Sequence, residues 1–236
     1  MDLLDHRRPD LAAWLLNEWL AGSGDFEAVP VLRFYAVYKA MVRAKVAGIG
    51  GNALVAESYL QLAETIAAPP LARLTITFGL SGSGKTTASA RLLRADPSAT
   101  TLRLRSDVER KRLFGLAPLA RSQTRIDGSI YTADSTRRTY ARLVEATGLM
   151  LDAGWSVVVD AAFLKRSERD NFRALAARRG VRFAILACAA PVSELQRRLQ
   201  ARRGDASEAT VEVLEKQLGW IEPLGSDEPE RVIPPA

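Results

Sequence analysis

The stretch that decides the fold is 73-RLTITFGLSGSGKTTASARLLR-94. Leu74, Ile76 and Phe78 alternate onto one face, which predicts a strand over Arg73 to Phe78. A helix is predicted over Thr86 to Arg94. Between them, Gly79-Leu80-Ser81-Gly82-Ser83-Gly84-Lys85-Thr86 fits the pattern G-x-x-x-x-G-K-[ST]. The glycines let the backbone curl until its N–H groups converge on phosphate oxygens, and the following helix adds the positive end of its dipole. Gly79, Ser81, Gly82, Ser83, Gly84, Lys85, Thr86 and Thr87 are therefore the expected ATP-binding set. Lys85 is expected at the β- and γ-phosphates, and the Thr86 hydroxyl on Mg²⁺.

Downstream, strands and helices alternate. Strands are predicted over Thr100 to Arg105, Ser156 to Asp160 and Arg182 to Ala187. Helices are predicted over Thr136 to Ala153, Arg166 to Arg179 and Ser193 to Arg202. Val157, Val158 and Val159 are consecutive, as in a strand buried on both faces. This alternation implies an α/β fold, a parallel sheet flanked by helices.

Three further segments carry chemistry. Asp107, in 106-SDVERKR-112, follows the second strand, at the edge where open α/β sheets hold ligands. It reads either as a base that takes a proton from an acceptor hydroxyl or as the N-cap of the next helix. Arg110, one turn on, is placed to hold the acceptor or a phosphate. Asp160 ends the apolar third strand and reads either as a second metal residue beside Thr86 or as a cap for a helix near Ser167. Arg198 and Arg202 share a helix face, either as lid arginines that neutralise developing charge or as a solvated basic helix. Lys165, Arg166 and Arg169 follow the third strand and read either as lining for the acceptor site or, with Glu168 and Asp170 among them, as a mixed surface. The lone histidine, His6, is far from every motif, and no His/Cys cluster suggests zinc.

Upstream of Pro69-Pro70 the pattern is helical. Leu11, Trp14, Leu15 and Trp19 mark one helix, Phe34 to Lys45 a second, and Val55, Tyr59, Leu62 and Ile66 a third. We therefore divide the chain into an N-terminal helical appendage, 1–68, and an ATP-binding domain, 69–236. No apolar run approaches the ~20 residues of a membrane helix, and residues 1–10 lack an export pattern. Cys188 is the single cysteine, in an apolar run, as for a buried inert thiol. These features lead us to expect a cytoplasmic protein with no membrane contact. The net charge of +6 is carried by few lysines and many arginines. It permits nucleic acid as a partner without favouring it.

Residues 72–220 resemble the small P-loop kinases of the AAA_33, zeta-toxin and polynucleotide-kinase-like group. The resemblance is carried by 79-GLSGSGKT-86, 106-SDVERKRL-113, 131-YTADSTRRTYARL-143, 154-GWSVVVDAAF-163 and 195-LQRRLQARRGDASEA-209. It implies a P-loop NTPase fold with strand order 2-3-1-4. It also implies Asp107 as base, Arg110 on the acceptor side, and Arg198 and Arg202 at the nucleotide phosphates. Related kinases usually add a fifth strand, but here Pro234 and Pro235 limit any such strand to about three residues. Residues 1–66 resemble, more loosely, the helical C-terminal end of an aminoglycoside-phosphotransferase-like domain fused to such kinases. The matching stretches are 5-DHRRPDLAAWLLNEWL-20, 24-GDFE-27 and 34-FYAVYKAMVRAKVA-47. With His6 the only histidine, the His-Gly-Asp loop of that domain is not in this chain, so its helices are expected to pack on the kinase unit, dimerise or stay loose.

The function expected is an ATP- and Mg²⁺-dependent phosphotransferase acting on a hydroxyl of a small-molecule acceptor. Lys85, Asp107, Arg110, Arg198 and Arg202 are the expected catalytic residues, and Thr86 and Asp160 the metal residues. A polynucleotide 5′-hydroxyl kinase and a non-catalytic ATP-binding module are the alternatives. The aromatics that would stack bases are not clustered, which weighs against the first. A guanine-reading Asn-Lys-x-Asp motif is missing, which weighs against a GTPase switch. The loop from Phe114 to Tyr131 is expected to shape the acceptor pocket.

Overall fold

A computed structural model of the chain describes residues 1–120, 132–201, 206–228 and 230–232. The strands are β1 (Arg73–Phe78), β2 (Thr101–Arg105), β3 (Ser156–Asp160), β4 (Arg182–Ala187) and β5 (Glu230–Val232). They form one parallel sheet in the order β2-β3-β1-β4-β5. The first four strands fall within a residue of the expected positions and in the expected order. A fifth also forms, three residues long, beside β4.

Helices cover both faces: α5 (Lys85–Arg94), α6 (Ser106–Leu113), α7 (Ala133–Asp152), α8 (Arg166–Arg178), α9 (Val192–Ala201) and α10 (Val211–Trp220). Every residue of β3 is buried, because it lies between β2 and β1 and is covered on both sides. Leu74 and Ile76, Leu102 and Leu104, Val157 and Val159, Leu143 and Met150 of α7, and Phe172 of α8 share one core. At roughly 1.5–3 kcal/mol for each large apolar side chain, this core is the main source of stability. α10 was not expected from sequence. Leu195 and Leu199 of α9 and Leu214 of α10 form a separate small cluster against Leu80 of the glycine loop.

The N-terminal helices are α1 (Asp2–Asp5), α2 (Pro9–Ser23), α3 (Val29–Ile49) and α4 (Ala53–Ala67), with a 3₁₀ turn at Phe26–Ala28. Of the dispositions open to them, the structure shows packing on the sheet unit. Leu20, Phe26 and Val29 are buried in the main core. β2 is an edge strand, and edges need their open polar groups covered. Asn17 of α2 does this. Its Oδ1 accepts from Arg103 N at 2.6 Å and its Nδ2 donates to Thr101 O at 3.1 Å. Arg33 of α3 donates to the carbonyls of Ala153 and Gly154, at 3.0 and 3.2 Å, capping the end of α7. The other face of α3 leaves Phe34, Tyr35, Tyr38 and Ile49 exposed.

Candidate functional site

The carboxyl ends of β1, β2 and β3 come together because the three strands are parallel neighbours. β1 runs into the glycine loop, β2 into α6, and β3 ends at Asp160. A cleft of about 1820 Å³ opens at this edge. Ser81, Gly82, Ser83, Gly84, Lys85, Thr86 and Thr87 line it, as do Asp107, Arg110, Asp160 and Arg198. Gly79 does not. Arg202 and residues 121–131 of the expected acceptor loop lie outside the described residues.

Gly79, with φ +145°, and Gly82, with φ +86°, explain the loop's composition. A Cβ on Gly79 would run into the Cys188 carbonyl oxygen, and one on Gly82 would meet the Leu195 carbonyl at 3.0 Å. The loop therefore passes tight against the end of β4 and against α9. Gly84, in the left-handed region, precedes α5, and no side chain caps the helix. The first-turn N–H groups of α5 have no intrahelical acceptor and face the cleft side. An uncapped helix start, a cradle with no Cβ and a lysine at its mouth together fit a phosphate chain. The Lys85 ammonium donates to the carbonyls of Gly79, at 2.8 Å, and Leu80, at 2.7 Å.

Asp160 is buried at the end of β3. Its Oδ2 accepts from Ser89 Oγ at 3.3 Å, three residues along α5 from Thr86, and lies 3.7 Å from Arg105 Nε. β2–β3 register pairs Arg105 with Asp160 directly. The helix-cap reading of Asp160 is not what the structure shows, because α8 begins after Lys165 with no side-chain cap. Thr86 and Asp160 offer one hydroxyl and one carboxylate, which fits Mg²⁺ held by few protein groups together with phosphate oxygens.

Asp107 sits in the first turn of α6, half-buried, and the helix has no side-chain cap bond. Arg110 donates through Nη1 to Thr136 of α7 at 3.2 Å. Arg198 reaches the loop, its Nη1 3.4 Å from Gly82 O, while its Nε donates to Glu194 at 2.6 Å. The adjacent arginines Arg197 and Arg198 hold the Glu194 carboxyl down at about 2.

Four cleft residues were missed from sequence. Tyr140 of α7 lines the cleft, its hydroxyl accepting from Phe163 N at 3.3 Å, and burial pushes that hydroxyl far up. Glu168 of α8 lies beside it, also pushed up by burial. Arg105 faces Asp160. Gln217 of α10 accepts from Ser81 N at 2.8 Å.

Arg169 is not at the surface. One reading of the sequence placed it on a mixed surface, but it is fully buried, paired with Glu228 and donating to four carbonyls. Its neighbour Arg166 is at the surface, paired with Asp227. Cys188 is buried as expected, and burial raises its thiol. Among the described residues no group of three or more His, Cys, Asp or Glu side chains gathers as a metal site, and no helix is long and apolar enough to cross a membrane.

Loop, strand order and site together define a P-loop domain of the kinase-like type. Residues 74–224 match the model of the AAA domain family AAA_33, and the chain belongs to that family. An uncharacterized protein of Mycobacterium tuberculosis (strain ATCC 25618 / H37Rv) is 29% identical over 222 residues, covering 90% of this chain and 43% of its own. An uncharacterized protein of Mycobacterium bovis matches equally. The chain thus spans less than half the length of these relatives. Only about a tenth of it lies outside the match, so most of the N-terminal helical segment is shared with them. Among solved structures, Chaetomium thermophilum Kti12 in complex with ADP-AlF3 has a TM-score of 0.51 at 17% identity, over 68% of this chain and 88% of that one. An unliganded sugar kinase from Janibacter sp. has a TM-score of 0.49 at 22% identity, over 69% and 84%.

Proposed function

We propose that this chain is an ATP- and Mg²⁺-dependent phosphotransferase that moves the γ-phosphoryl group to a hydroxyl of a small-molecule acceptor. The observation that carries this reading is the convergence of the glycine loop, Asp107 and Asp160 on one cleft from three adjacent strand ends. ATP supplies the activated phosphoryl group when bound. The loop amides and Lys85 hold its phosphates, and Lys85 exchanges the Gly79 and Leu80 carbonyls for phosphate oxygens. Thr86 and Asp160 would hold Mg²⁺ beside the phosphates. Asp107 takes the acceptor's proton as that oxygen bonds to the γ-phosphorus and the bond to the β,γ-bridging oxygen breaks. Arg110 orients the acceptor from α6. Arg198, already at the loop, offsets charge that develops during transfer, with Arg202 as its lid partner.

The proposal extends to the rest of the chain. We place the domain boundary at 68/69, and read residues 1–66 as the helical end of a phosphotransferase-like domain. The exposed apolar face of α3 and the greater length of the mycobacterial relatives support this. We also place the protein in the cytoplasm, on its single buried cysteine.

The test is calorimetric titration with Mg-AMPPNP. The wild type should bind with a micromolar Kd, about −8 kcal/mol, and Lys85→Ala should not. An acceptor screen with γ-labelled ATP then follows. Asp107→Asn should keep nucleotide binding and lose roughly 10²–10⁴-fold in transfer. A wild type that fails to bind AMPPNP refutes the nucleotide site. Binding without transfer to any hydroxyl acceptor leaves the non-catalytic module as the better description.

A further inference from the structure

Gln217 sits on α10, 136 residues from the loop it touches. Its side chain is nine-tenths buried and lines the cleft. The carboxamide oxygen accepts from Ser81 N, which fixes which way the group points. The amide nitrogen is then turned away from Ser81, and the described residues give it no hydrogen-bond partner. That nitrogen is not sealed in the protein interior but opens on the cleft, where a ligand oxygen can take the place of water as its acceptor.

The position identifies the ligand atom. The inner part of a phosphate chain rests on the amides at the start of α5, and the lysine of the loop spans outward to the terminal phosphate. Lys85 Nζ lies on the carbonyls of Gly79 and Leu80, immediately before Ser81. That end of the loop is therefore the terminal-phosphate end, and Gln217 is at it.

We propose that Gln217 binds the terminal phosphate of a nucleoside triphosphate: its oxygen holds the Ser81 N–H and its NH₂ donates to a γ-phosphate oxygen. This rests on the nucleotide site proposed above and assigns α10 to it. A carboxamide is the side chain that does both tasks. A glutamate would keep the bond to Ser81 but present oxygens to an anion, and an apolar residue would lose both contacts. α10 is held to the loop from behind as well, through Leu214, Leu195, Leu199 and Leu80.

The experiment is calorimetric titration of the full chain with Mg-AMPPNP and, separately, Mg-ADP. Wild type, Gln217→Glu and Gln217→Met are compared, each with a thermal melt. Loss of a hydrogen bond to a charged group corresponds to about a ten- to hundredfold loss of affinity. Both variants should weaken AMPPNP by that factor and ADP by less than about threefold, with Gln217→Glu the more severe. Gln217→Glu preserves shape and the Ser81 contact, so it separates the missing donor from a misfolded helix. If the wild type binds both nucleotides and the variants leave their affinity ratio unchanged, the role of Gln217 is overturned while the nucleotide site stands. If the wild type binds neither, both readings fall together.

Discussion

Arg169→Met tests whether the buried ion pair holds the floor of the cleft together. Arg169 Nε lies 2.6 Å from Glu228 Oε1 and Nη2 lies 2.9 Å from Oε2. The guanidinium also donates to the carbonyls of Phe163 at 3.1 Å, Leu164 at 3.3 Å, Glu222 at 3.1 Å and Pro223 at 3.2 Å, and stacks 5.3 Å from the Phe78 ring. One side chain thus joins the segment after β3, the segment after α10 and the end of β1. Phe163 is held at φ +50°, a conformation a bulky residue keeps only when its surroundings enforce it. Methionine is similar in length but makes none of these bonds. Removing one partner of a buried pair costs about 3–5 kcal/mol, because the other charge is left buried and unpaired. At about 2–4 °C per kcal/mol for a chain of this size, Tm should fall by roughly 6–20 °C. The double variant Arg169→Met/Glu228→Leu should recover part of that, since no lone carboxylate remains. The pair also sets a pH dependence. The Arg169 hydrogen bonds hold the Glu228 carboxyl below its ordinary value near 4.5. Above that value the unfolded chain gains nothing by protonation and the stabilisation is fully present. As pH falls through the depressed folded value, the stabilisation is lost. The gap between wild type and Arg169→Met should therefore narrow on acidification below about 4.5. Urea melts at pH 7 and pH 3.5 measure it. A loss under about 1 kcal/mol, or a gap independent of pH, would refute the reasoning.

Two further predictions concern the sheet edge and the cleft wall. Asn17→Ala strips the partners from Arg103 N and Thr101 O on the edge of β2 and should cost about 2–4 kcal/mol in a urea melt, taking 1–3 kcal/mol for each orphaned group and some rescue by water. Glu168 carries a carboxyl raised above its ordinary value by burial, so the folded chain binds that proton more tightly than the unfolded one, and stability falls as pH rises through the raised value. Glu168→Gln should therefore gain in Tm relative to wild type at pH 8 and lose that gain as the pH falls below the ordinary value near 4.5; a gap of constant size across that range would count against burial as the cause.

The parts of the molecule legible in the sequence are those whose information is local. β1, β3 and β4 read correctly because a strand buried in a parallel sheet must be apolar along its own few residues. The glycine loop read correctly because positive φ at Gly79 and Gly82 leaves one residue type available. Asp107 and Asp160 stood out because a strand end is itself readable. The failures share the opposite property. Asn17 meets Arg103 across 86 positions, Gln217 meets Ser81 across 136, and Arg169 meets Glu228 across 59. In each case a polar side chain is buried by a distant partner, and nothing within its own helix marks it. Arg169 looked like surface because its sequence neighbours Arg166, Glu168 and Asp170 are charged, yet on α8 it turns inward among carbonyls. α10 went unread because Gln217, the residue that ties it to the site, is an ordinary polar residue until Ser81 stands opposite.

The same contacts decide how far the N-terminal helices bear on the site. β2 ends at Arg105 and passes straight into α6, which carries Asp107 and Arg110. Both elements are clamped from outside by α2 and the turn that follows it. Asn17 closes the β2 edge, and Glu18 lies 3.7 Å from Arg103. Arg112 of α6 donates to Ala21 O at 2.5 Å, pairs with Glu109, and lies 5.9 Å from the Phe26 ring, with Arg142 of α7 at 5.7 Å from the same ring. Glu109 is itself buried, so its ion pair with Arg112 is not a surface ornament but part of the packing that fixes α6. Asp107 and Arg110 are thus positioned by residues outside the segment the family model covers, which begins at Leu74. A P-loop unit cut at the Pro69-Pro70 boundary would keep its glycine loop, Lys85 and Asp160. It would lose the partners of β2 and α6, and with them the placement of Asp107 and Arg110 in the cleft.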